Sequence, residues 1–134
     1  MNQLHVFVGT NVIELTLPWP PSVNHYWRSY RGMVVISEAG RKYRTAVAEQ
    51  VFLQTRGKST VGKLKVTIEA WRPDNRRRDL DNLLKAVLDS MGHAGLYIDD
   101  SLIVDLRIYW APNIGGMLKI KIEETNEQKD SVGN

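Results

Sequence analysis

The chain has 134 residues, room for one domain burying roughly two thirds of the surface its unfolded chain exposes. It is 43% hydrophobic and 25% charged, an ordinary soluble composition, and its lack of cysteine excludes a disulfide scaffold, Cys-ligated zinc and thiol catalysis. Net charge is only +3, no apolar run nears a membrane span and no signal-peptide pattern opens the chain, so a cytoplasmic protein with no membrane partner is expected.

Val12 to Leu17 alternates with period two and predicts a strand facing a core on one side. Pro18-Trp19-Pro20-Pro21 follows as a stiff, extended loop that cannot feed a sheet ladder. Gly32 to Ile36 predicts a short strand. Ser37 then caps a helix with an apolar stripe of Tyr43, Val47, Val51 and Phe52, closed at Arg56-Gly57. Leu64 to Ala70 alternates as another strand, and a second helix spans about Asp79 to Met91. Leu102 to Trp110 and Met117 to Glu123 read as strands joined by a hairpin loop at Pro112 to Gly116. Everything from Glu124 on is polar and expected to fray. No repeat or low-complexity linker divides the chain. One domain over 1–134 is expected, with a core of about 13–123 and a tail of 124–134. The order β-β-α-β-α-β-β predicts an α+β fold, a mixed β-sheet with two helices on one face.

Chemistry concentrates in Arg76-Arg77-Arg78-Asp79-Leu80-Asp81-Asn82-Leu83-Leu84-Lys85. Leu80, Leu83, Leu84, Val87, Leu88 and Met91 mark one face of a helix, and Asp81, Lys85 and Asp89 stack on the face away from the core. A purely structural account is available. Asp79 is then the N-cap, Asp81 complements the helix dipole and pairs with Lys85, and Gly92 is the C′ glycine. Three features weigh against it. Asp79 and Asp81 can converge where extended backbone enters the helix. A second acidic pair, Asp99-Asp100, precedes a strand that should pack beside that helix. Three arginines abut the cluster, and helix capping has no use for them.

Carboxylates without His or Cys are hard oxygen donors, suited to Mg²⁺ or Mn²⁺. A divalent cation beside Arg and Lys suits phosphodiester hydrolysis. It polarises the phosphoryl oxygen and acidifies a water, and a second ion about 4 Å away can stabilise the leaving oxygen. Arg76, Arg77, Arg78 and Lys85 would hold the phosphate and offset transition-state charge. The modest net charge hides a basic middle: from Asn24 to Lys85, 14 Lys/Arg face 6 Asp/Glu. That is the footprint of a polyanion binder, although for scattered lysines a solvated surface is the better account. Arginine outnumbers lysine there, and its fork suits phosphate oxygens. Asn24 and Arg28 are further candidates for phosphate contact. Trp19, Tyr26, Trp27 and Tyr30 are candidates for stacking on unpaired bases, with core or loop packing as the competing role.

Two blocks carry a resemblance. The first runs from Leu17-Pro18-Trp19-Pro20-Pro21-Ser22 to Asn24, Tyr26 and Arg28. The second is Arg77-Arg78-Asp79-Leu80-Asp81-Asn82-Leu83 with Lys85-Ala86, followed by Asp89, Ala94-Gly95, Asp99-Asp100 and Val104-Asp105. With the element order they cover about Ile13 to Glu123, and the chain resembles the RusA family of Holliday junction resolvases. The resemblance implies a homodimer that nicks four-way junction DNA symmetrically with Mg²⁺. It implies metal-binding catalytic aspartates at Asp79, Asp81 and Asp100 and an essential lysine at Lys85, with Asn82 and Asp99 secondary. Leu102, where a polar residue is expected, and the stretch before Ile13 depart from the pattern. Both bear on junction sequence preference. Two-fold symmetry of a junction independently calls for two related active sites.

Gly57-Lys58-Ser59-Thr60 imitates the end of a Walker A loop, but Phe52 stands where that pattern needs glycine. No nucleotide cofactor is expected. His5, His25 and His93 have no ligand spacing. The alternative reading is a junction- or DNA-binding protein without cleavage, which gains nothing from keeping Asp79, Asp81, Lys85 and Asp100 together.

Overall fold

A computed structural model describes residues 11–125. Ten elements follow in order: β1 (Val12–Pro18), α1 (Val23–Tyr26), β2 (Trp27–Tyr30), β3 (Met33–Ile36), α2 (Glu38–Thr55), β4 (Leu64–Trp71), α3 (Asp81–His93), a 3₁₀ turn (Asp100–Leu102), β5 (Ile103–Trp110) and β6 (Met117–Glu124). The predicted extension before Ile13 and the polar tail lie, through 1–10 and 126–134, outside the described residues. Among the described residues, no helix is long and apolar enough to cross a membrane.

Four strands form a mixed sheet in the order β1-β6-β4-β5, antiparallel except for the β4–β5 pair. Alternation puts one face of this sheet in the core: Ile13, Leu15 and Leu17; Leu118, Ile120 and Ile122; Leu64, Val66, Ile68 and Ala70. Helix α2 lays Tyr43, Val47 and Val51 into this core, and α3 adds Leu83, Ala86, Val87 and Met91. The predicted α+β architecture with two helices on one face is therefore observed, with a third, one-turn helix added.

Several expectations need correction. Phe52 is 62% exposed, because the buried row of α2 advances by four from Tyr43 and leaves Phe52 one position off it. Asp79 does not cap α3. Leu80 occupies that position in helical conformation, with no side-chain cap, after a tight turn in which Asn82 N–H donates to the Asp79 carbonyl. Gly92 lies within the helix, and the glycine that ends it is Gly95, at φ +90°. Leu96 N–H returns to Met91 O and Gly95 N–H to Gly92 O, the two bonds of a Schellman ending.

The strands around Pro112 to Gly116 do not form a hairpin. After β5 has paired parallel to β4, the chain crosses the end of β4 and enters on its other side, where β6 fits between β4 and β1. Gly115 N–H donates to Arg72 O and Gly116 N–H to Trp71 O, pinning the loop over β4. Gly115 has no room for a side chain there: a Cβ would sit 3.0 Å from that of Trp71.

Candidate active site

Helix α2 fixes the floor of the site. Ser37 Oγ accepts from Gly40 N–H at 2.9 Å and donates to Tyr26 O at 2.9 Å, joining the start of α2 to the end of α1. Tyr26, fully buried, directs its hydroxyl to Asp89 of α3 and lies 3.2 Å from Ser90 Oγ. Arg44 closes the network, with Nη2 2.7 Å and Nε 3.0 Å from Asp89 Oδ2 and Nε 3.1 Å from Tyr26 Oη. Burial, then the bond to Asp89, pushes the Tyr26 phenol above its ordinary pKa. Asp89 is thus not a free member of the polar face of α3. It is the anchor that ties three helices together.

On that anchored helix the other acids stand differently. Asp79, Asp81 and Lys85 are exposed, and Asp100 is exposed at the start of the 3₁₀ turn. Among the described residues none of these four forms an ion pair, so the Asp81–Lys85 pair of the purely structural account is absent. Lys85 and Asp100 line one cavity of about 350 Å³ with Trp27, Leu84, Leu88 and Asp89. Trp27 packs edge-on against Tyr26, and its Nε1 is buried without a hydrogen-bond partner among the described residues. Asp99 and Asp100 also face a neighbouring cavity of about 310 Å³ with Arg44, Asp89 and Tyr97. Asp99 accepts from Ser101 Oγ, a local bond that holds the turn.

The donor set fits a hard cation: exposed carboxylates with no engagement of their own. Yet among the described residues no three His, Cys, Asp or Glu side chains stand together closely enough to hold an ion. Like charges with nothing between them repel, so separated carboxylates are what the free chain favours. The structure therefore brings Lys85 and Asp100 to one cavity but does not draw Asp79, Asp81 and Asp100 into one shell.

The three arginines differ from one another. Arg78 is half-buried, with Nη2 2.8 Å from Asp74 Oδ1 and Nη1 3.2 Å from the carbonyls of Asp74 and Arg76. Its guanidinium lies 5.7 Å from the Trp19 ring centre. Trp19 stacks on Trp110 at 6.4 Å and 17°, and Arg72 lies 4.6 Å over Trp110. Asp74 also accepts from Arg76 N–H at 2.9 Å. That backbone bond first, and the Arg78 side chain second, hold the Asp74 carboxyl below the usual range. Arg76 and Arg77 remain exposed beside this latch.

Asn24 and Arg28 are exposed, and Arg28 and Arg31 each lie 5.2 Å from the Tyr30 ring centre. Asn24 belongs to α1, whereas Arg28 and Arg31 ride on the β2–β3 hairpin, whose Arg31-Gly32 turn has φ +52° and +77°, the signature of a type I′ turn. Asn82 is exposed in the first turn of α3. Of the four aromatic candidates, Tyr26 is taken by the core and Trp19 by its stack. Tyr30 is the exposed one. Sequence reasoning missed Arg44, Asp74, Arg72 and Trp110. Only the wealth of arginine hinted at them, since their partners lie far off in the chain or in a loop.

The endodeoxyribonuclease RusA family matches this chain over residues 18–123, from the last residue of β1 through all of α1 to β5 and into β6. This chain belongs to the RusA family. It is 40% identical over 119 residues to a crossover junction endodeoxyribonuclease RusA of Escherichia coli, covering 88% of this chain and 99% of that relative. Similar coverage holds for a relative of the same description in Enterobacteria phage 82, at 41% identity, and for one in Shigella sonnei, at 40%. The RusA match thus spans every residue assigned to the site, from Asn24 to Asp100.

Proposed function

We propose that this chain is an endodeoxyribonuclease that resolves four-way DNA junctions by paired, symmetric nicks. It would act as a Mg²⁺-dependent homodimer, in the cytoplasm, during recombination and repair. One observation carries the reading beyond family membership. The fold pairs Arg44 with Asp89 and Arg78 with Asp74, yet leaves Asp79, Asp81, Lys85 and Asp100 exposed and unpaired among the described residues. Four charges that no ion pair in the fold engages are available for chemistry.

Asp79, Asp81 and Asp100 would hold the cation. Bound there, Mg²⁺ supplies Lewis-acid polarisation of the scissile phosphate and acidifies a water, with Mn²⁺ as a substitute. Lys85 holds a phosphate oxygen and offsets charge as it builds. Arg78, immobilised by Asp74 and Trp19, presents a fixed direction to the DNA backbone, while Arg76 and Arg77 supply screened attraction. Asn82, Asn24 and Arg28 extend the contact, and Asp99 shapes the turn that carries Asp100. A junction-binding protein without cleavage is the second reading. The observation favouring it is the lack of a preformed three-acid cluster among the described residues.

A synthetic four-way junction and a linear duplex of the same sequence, incubated with Mg²⁺, with EDTA or with Asp81→Asn, distinguish the readings. The expected result is paired nicking of the junction alone, lost with EDTA and with the variant. Removing one negative charge should leave junction binding intact or tighter. Tight binding without cutting in Mg²⁺ or Mn²⁺ selects the second reading, and wild-type cutting by Asp81→Asn removes Asp81 from the metal shell.

A further inference from the structure

The two edges of the main sheet are finished differently. At the β1 edge, Gln54 of α2 covers the backbone: Thr16 N–H donates to its Oε1 at 2.8 Å, and its Nε2 donates to Thr16 O at 2.7 Å. Among the described residues nothing comparable covers β5, whose strand partner is β4 alone. Eight residues of open ladder are a template for another strand. Val104 and Leu106 are 44% and 39% exposed along it.

The direction of each backbone group follows from one bond. Ala111 N–H donates to Ala70 O, so in this parallel pair the alternate residues Asp105, Arg107 and Tyr109 bond toward β4. Leu106 and Ile108 therefore turn their N–H and C=O outward.

We infer that this edge is the seam of the homodimer, two copies of β5 pairing antiparallel across a two-fold axis at Leu106. The inference rests on the dimeric reading above and names its surface. The charges select the register. With the axis at Leu106, Asp105 lies opposite the partner subunit's Arg107, and the symmetry repeats that pair. Leu106 then meets its own copy, and Val104 lies opposite the partner subunit's Ile108. Moving the axis to Asp105 sets two aspartates face to face, and moving it to Arg107 sets two arginines face to face. Both are unfavourable where the chosen register gains two ion pairs. Asp105 and Arg107 would occupy non-hydrogen-bonded positions, where opposing Cα atoms approach to about 4.5 Å and side chains meet most closely.

The test reads oligomeric state, not cleavage, so its failure is separable from failure of the metal assignment. Sedimentation of the wild type, Asp105→Arg, Arg107→Asp and the double exchange is compared at matched concentration, with circular dichroism confirming folding. Each single reversal should weaken the dimer about tenfold or more, and the double exchange should restore it. A second variant uses the absence of native cysteine. Leu106→Cys should form a disulfide-linked dimer on mild oxidation, because a Cα separation of about 5.5 Å across a hydrogen-bonded pair suits the bond. A wild-type dimer indifferent to both reversals, with Leu106→Cys not cross-linking, overturns the seam and leaves the dimeric reading standing. A wild type that stays monomeric, alone and on junction DNA, overturns both.

Discussion

Asp74 shows how one carboxylate can govern a site it does not enter. It takes the Arg76 N–H and the Arg78 guanidinium, and Arg78 then leans on Trp19. Asp74→Asn keeps an acceptor for the Arg76 N–H but removes the negative charge that faces the Arg78 guanidinium. Junction cleavage should fall about tenfold while the melting temperature barely moves, since exposed pairs contribute little stability. Kinetic assays beside thermal melts check this. The pH dependence has a definite sign. The Asp74 carboxyl is depressed in the fold, so its contribution is full above its unfolded value near 3.8 and is lost as pH falls through the lower, folded value. The Arg78 latch should therefore outlast an ordinary aspartate pair on acidification, as NMR of the Arg78 Nη–H groups would record.

Among the elements, α2 depends on a glycine at its first turn. A Cβ on Gly40 would press on the Tyr26 carbonyl oxygen and lie 2.6 Å from Ile36 Cγ1. Gly40→Ala should cost about 1–3 kcal/mol by forcing α1 off α2, measurable by urea denaturation, and should disturb the Arg44–Asp89 bond as well. The elements with clear periodicity could be read directly from the chain: β1 and β4 by alternation, α3 by its leucines, Ser37 by its capping position. What escaped had a specific cause. Helix α1 is a single turn and β2 four residues, both too short to show a period. Sheet order escaped because Gly115-Gly116 reads as a hairpin turn locally, and only the pairing of β6 with both β1 and β4 shows that the strand is central. For the site, the acidic residues announced themselves by type and spacing. The anchors did not, since Asp89 reads as one more polar position until Arg44 and Tyr26 are seen to hold it.

For the whole molecule, three phenols bind the core to its surroundings. Burial raises the Tyr26, Tyr43 and Tyr97 pKa values; Tyr43 donates to Pro18 O and Tyr97 to Leu88 O. Each is neutral in the fold, so its contribution is full below the unfolded value of 10.0 and is lost as pH rises beyond it. Loss of the helical circular dichroism signal should coincide with the rise in phenolate absorbance from these three tyrosines, isolated by comparison with a Tyr30→Phe, Tyr109→Phe variant. Separate transitions would show that these hydroxyls are not tied to global stability.

The place of β6 has a consequence for how the protein comes into being. The last strand among the described residues lies inside the sheet, and among those residues β1 has no other strand partner. Its contacts with β1 close a loop of roughly a hundred residues, a topology that folds slowly. During translation, Ile13, Leu15 and Leu17 must wait for residues 117–124 to leave the ribosome before they gain their strand partner. A nascent chain therefore cannot complete its sheet early, and an unfinished or truncated product lacking β6 carries the acidic residues without the frame that orients them.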